Sequence, residues 1–162
     1  MSYDITLAYP DGPAQVPSHQ EGGTYVMGGT TDAHLNITYN YYSYYRKHID
    51  PDKGIRWLYG QTGGATAPRL AAAIAAILVD EALEAEQLAQ VAERRARAAT
   101  IAPPPPPEPD ESPIWGLARA MHESALTGPT GYWEPTRANA ARALGILLGW
   151  ALQHPDATFE GD

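Results

Sequence analysis

The run Thr38-Tyr39-Asn40-Tyr41-Tyr42-Ser43-Tyr44-Tyr45-Arg46-Lys47-His48 decides how this chain folds, because the period of its side chains changes inside it. Before it, Leu35, Ile37 and Tyr39 alternate with His34, Asn36 and Thr38, the two-residue period of a strand. After it, Tyr41, Tyr44, Tyr45 and His48 follow the spacing of one helical face, with Tyr42 and Arg46 on another. A strand-to-helix corner is therefore expected at Asn40. Half of the ten tyrosines fall in this run. Each carries a flat ring and a hydroxyl that needs a partner, so the corner is either a polar-lined core or a stacking surface.

Upstream, Tyr3, Ile5 and Leu7 alternate with Asp4 and Thr6, and Pro10-Asp-Gly-Pro closes that strand with a turn. Thr24-Tyr-Val-Met and the run from Ala33 to Tyr39 are expected to pair as a hairpin. Downstream, Gly54 to Gly60 reads as a brief helical turn. An alanine-rich helix is expected after Thr66 and Pro68, running to about Ala99, with a core stripe of Leu70, Ile74, Ile77 and Leu78 and a charged second half that projects. Prolines 103–107 form a stiff polyproline spacer before a small amphipathic helix carrying Ile114, Trp115, Leu117 and Met121. Pro135 opens a last helix with Ala140, Leu144, Leu147, Leu148 and Ala151 on its core face, and Thr158-Phe-Glu adds a short strand. The expected fold is α+β: a small antiparallel sheet from the N-terminal part packed by helices, one domain over 1–162 with a helical, proline-rich insertion at 80–130.

Composition narrows the chemistry. The chain of 162 residues has no cysteine, which excludes disulfides, thiolate metal sites and cysteine catalysis. A net charge of -8 argues against broad nucleic-acid binding but leaves room for a small anionic ligand in a local cationic pocket. No apolar run is long enough to span a bilayer, so a cytoplasmic protein without membrane contact is expected. The five histidines have no paired ligand spacing, and no catalytic signature is present; neither a metal nor a cofactor is expected. Asp32 and His34, two apart on a strand, are the nearest approach to an acid–base pair.

Several segments together carry a resemblance. Gly22-Gly-Thr-Tyr through Gly28-Gly-Thr, Leu35-Asn-Ile-Thr-Tyr-Asn-Tyr, Gly54-Ile-Arg with Leu58-Tyr-Gly, Tyr132-Trp-Glu-Pro-Thr with Asn139 and Arg142-Ala-Leu, and the ending Pro155-Asp-Ala-Thr-Phe-Glu-Gly-Asp make up the pattern. It resembles that of a family of small, uncharacterised phage-encoded proteins. The resemblance covers roughly 1–78 and 130–162; between them, a short acidic turn of typical members is replaced by the insertion. It implies a viral or prophage origin, an accessory role in the cytoplasm of an infected host, and no catalytic residues.

Taken with that origin, aromatic faces beside cations suggest a non-enzymatic protein that sequesters a nucleotide-type immune signal and so inhibits host defence. In that reading Tyr41, Tyr42, Tyr45 and Trp57 stack on bases, Arg46, Lys47 and Arg56 meet phosphates, and Asn40 reads an edge. A second reading is a protein-binding inhibitor or virion accessory component whose inserted arm docks through Ile114, Trp115, Leu117 and Met121 on a partner or a second copy, which makes a homo-oligomer an expectation. A nucleotide phosphodiesterase is the third.

Overall fold

The computed structural model describes residues 2–20, 29–100 and 133–162. The small helix with Ile114, Trp115, Leu117 and Met121, the polyproline spacer and the strand expected at Thr24–Met27 lie outside the described residues. What is described is an α+β fold in the order β1 (Ser2–Tyr9), β2 (Gly12–Pro13), β3 (Gln15–His19), β4 (Thr30–Asp32), β5 (His34–Thr38), α1 (Tyr42–His48), α2 (Gly63–Leu78), α3 (Glu81–Thr100), α4 (Arg137–Gln153) and β6 (Thr158–Gly161). Short 3-10 turns at Tyr39–Tyr41 and Gly54–Leu58 flank α1.

Strand β1 is central. It pairs antiparallel with β5 from Ser2↔Thr38 to Thr6↔His34, and with β6 from Ile5↔Gly161 to Ala8↔Thr158. Its last residues also meet β2 across the Pro10–Asp11 turn. The two-residue period then places Tyr3, Ile5, Leu7, Leu35, Ile37 and Phe159 in the core, each 2 % exposed or less. A separate ribbon joins β3 to β4.

Helices α2 and α4 supply the other half of the core through Leu70, Ala73 and Ile77 on one and Ala140, Leu144, Leu147 and Ala151 on the other. Their approach is close because of Gly63, where a Cβ would lie 2.9 Å from the Ala151 backbone and 2.7 Å from the His154 carbonyl. Helix α2 starts earlier than its proline suggests. Thr62 is the cap, its hydroxyl accepting from Ala65 N at 3.4 Å, and Pro68 sits inside the helix. Leu78, expected in the core stripe, is half exposed at the helix end.

The expected single helix to Ala99 is in fact two. Val79 and Asp80 break it, and Asp80 Oδ1 accepts from Leu83 N at 3.2 Å, which caps the first turn of α3. Helix α3 rests on the core through Leu83 and Gln87; beyond Val91 most of its residues are exposed, so the charged half projects as its sequence implies. Among the described residues no helix is long and apolar enough to cross a membrane.

Candidate functional site

Thr38 makes the corner. Its backbone is still extended, while its hydroxyl accepts from Asn40 N at 3.3 Å and starts the 3-10 turn. Tyr41 lies at φ -92, ψ 2, between turn and helix, and α1 follows at once. Tyr41, Tyr44 and Tyr45 consequently point inward, all at 0 % exposure. The Tyr44 hydroxyl donates to the Pro135 carbonyl at 2.9 Å and that of Tyr45 to the Ala140 carbonyl at 3.3 Å. Burial pushes the Tyr44 phenol up to about 12, with Glu84 and Asp80 adding to the effect.

Two of the expected stacking residues are thus withdrawn. Tyr41 and Tyr45 belong to the core, because the same spacing that makes them a helical face turns that face toward α4. The expected cations also have partners in the chain. Arg46 donates from Nη1 to the Tyr42 hydroxyl at 3.1 Å and from Nε to the Pro51 carbonyl, with its guanidinium 5.5 Å from the Tyr42 ring centre. Lys47 Nζ lies 2.7 Å from Asp80 Oδ2. Arg56 donates to the Tyr39 hydroxyl at 3.0 Å and the Asp162 carbonyl at 3.3 Å, and lies over the rings of Tyr3 and Tyr39. Trp57 is half-buried under the Arg69 guanidinium, 4.3 Å from its ring centre. Arg56 and Trp57 therefore do not join α1 as a second stacking wall. Asp32 bonds to Gln15 at 2.7 Å, while His34 meets Thr6 at 3.0 Å, so the pair expected to resemble an acid and base is not assembled.

What remains of the corner is its outer side, and there it lines a cleft of about 150 Å³. Tyr39, Asn40, Tyr42 and Ser43 form one wall. Gln87, Gln90, Val91 and Arg94, three, four and seven residues along α3 from the first, form the other, and Pro135 closes an end. Asn40 and Tyr42 are the two expected site residues that the fold brings to this cleft. Tyr42 is 43 % exposed, and Asn40 Nδ2 donates to the Trp133 carbonyl at 2.7 Å.

The second wall is held by two clasps that sequence reading missed. Asp80 Oδ2 takes Lys47 and also His48 Nε2 at 2.8 Å, tying the α2–α3 break to α1. Lys47 foremost, with His48 and the Leu83 amide, outweighs partial burial and holds the Asp80 carboxyl down at about 2. From the other side Arg137, first residue of α4, donates from N and Nε to the two Glu84 oxygens at 2.9 and 2.8 Å, and from Nη1 to the Leu78 carbonyl at 3.0 Å. A signal for the break did exist: Asp80 followed by Glu81 and Glu84 is the acidic start of a helix. Nothing comparable marks Gln87.

Among the described residues no three histidine, aspartate or glutamate side chains gather as a metal site requires. Comparison with protein-family models, with curated proteins and with solved structures finds no match.

Proposed function

We propose that this is a non-enzymatic phage accessory protein that inhibits host antiviral defence by binding a nucleotide-type immune signal in the cleft between the tyrosine corner and α3. The observation that carries this reading is the lining: an exposed tyrosine ring, carboxamides on both walls and an arginine on the rim. Rings stack on bases, carboxamides pair with base edges and a guanidinium meets phosphate. The volume bounds the mode of binding. At about 150 Å³ the cleft is below the roughly 300–1,000 Å³ that encloses a drug-sized ligand, so one base enters and the remaining nucleotide lies outside, toward Arg94. Thermal-shift measurements with cyclic di- and trinucleotides and mononucleotides test it. A saturating ligand raises the unfolding temperature; no shift with any of them removes the reading.

The projection of α3 supports a second reading. Its exposed half leads into the inserted segment, as an arm presenting Ile114, Trp115, Leu117 and Met121 to a protein partner or a second copy would require. Deleting 101–128 separates the two: inhibition lost with nucleotide binding retained favours the arm, and inhibition retained favours the cleft.

A further inference from the structure

Where the turn from β1 into β2 meets the end of α4 there is a second cavity, of about 440 Å³, which shares no lining residue with the cleft. Its volume is that of a small-molecule site. Tyr9, Asp11, Pro13, Gln15 and His154 are in its lining. The hydrogen bonds of His154 decide what the cavity offers. Nε2 lies 2.9 Å from the Gln15 carbonyl, which can only accept, so that nitrogen carries the proton. In the neutral ring Nδ1 is then bare and takes the Tyr9 O–H at 3.4 Å. The Tyr9 oxygen is left with lone pairs alone, beside a ring that packs edge-on to the imidazole and is itself 37 % exposed. Among the described residues no hydrogen bond or ion pair holds the exposed Asp11 carboxylate, and no lysine or arginine is in the cavity's described lining. His154 also ends α4, and the C-terminal end of a helix is the negative end of its dipole. An unpaired carboxylate, an acceptor oxygen, an open aromatic ring and a helix C-terminus all favour positive charge, in a chain whose net charge of -8 draws cations toward it.

We propose that this cavity binds an organic cation, an ammonium group carried on an aliphatic chain, with Asp11 as its counter-charge and Tyr9 as the ring and acceptor against which it lies. The ammonium donates to the Asp11 carboxylate and the Tyr9 oxygen, and the methylenes cover the Tyr9 and Pro13 rings. Two sources carry this chemistry, a free diamine and the lysine side chain of a protein. The site is independent of the nucleotide cleft and stands or falls without it.

Amide NMR titrations of the whole protein with putrescine, with a terminally blocked lysine tripeptide and with butanediol, the uncharged counterpart of putrescine, test it. At least one of the two amines is expected to shift the amides of Asp11, Gly12 and Gln15 saturably, and butanediol to leave them in place. Asp11→Asn, which keeps the shape and removes the charge, weakens binding by about fivefold, and Tyr9→Leu, which removes the ring and the oxygen, by about two- to fivefold. Asp52→Asn, an exposed carboxylate outside the cavity, leaves it within about twofold. The same spectra confirm that each variant is folded. Tighter binding of putrescine assigns a free amine and tighter binding of the tripeptide a protein's side chain; either upholds the site. Butanediol binding as well as putrescine overturns the cationic chemistry. Equal weakening by Asp11→Asn and Asp52→Asn reduces the effect to general attraction by the acidic chain and overturns the site, as does the absence of a saturable shift with both amines.

Discussion

The two faces of α1 carry the same residue type under opposite conditions. On the inner face Tyr44 and Tyr45 are fully buried, and their hydroxyls reach carbonyls at Pro135 and Ala140. On the outer face Tyr42 is 43 % exposed, and its hydroxyl accepts from Arg46 one turn along. Inside, a tyrosine contributes packing and joins α1 to the start of α4. Outside, it contributes a ring that contacts solvent and the cleft. The difference teaches that a tyrosine-rich stretch is not one surface: the carbonyls within reach decide which rings anchor and which remain for a ligand.

The largest test of that contrast is truncation. Tyr45→Ala is expected to lower stability by about 3–5 kcal/mol, as loss of a buried aromatic ring does. Tyr42→Ala is expected to change it by less than about 0.5 kcal/mol while weakening nucleotide binding. Denaturant unfolding of both variants reads the difference, and equal losses would break the comparison.

Alkaline pH probes the inner face next. Burial raises the phenols of Tyr3 and Tyr44 from 10.0 to about 12. The folded state favours their neutral form, so this contribution is full below pH 10.0 and is lost as pH rises through about 12. Unfolding measured across that window is expected to show a loss of roughly 2 kcal/mol, and Tyr44→Phe reduces it.

At the acidic end the sign is opposite. Asp80 is held at about 2 against an ordinary 3.8, so its contribution is present above 3.8 and disappears as pH falls toward 2. Asp80→Asn is expected to cost roughly 1–2 kcal/mol at neutral pH and to flatten the acid limb of the stability profile. This sharpens the contrast from the outer side, because the same clasp positions the α3 wall of the cleft.

Local periodicity made much of the fold legible. The alternation at Tyr3, Ile5 and Leu7, the spacing of Tyr41, Tyr44 and Tyr45, and the stripe from Ala140 to Ala151 each report a buried face without reference to the rest of the chain. The α2–α3 break was obscured because Ala-Ala-Ile-Leu-Val runs into it without glycine or proline, and Asp80 gains Lys47 and His48 only when the chain folds back. The site was legible by halves. Asn40 and Tyr42 could be read from the corner, whereas Gln87 lies in a charged helix, and only tertiary packing buries it.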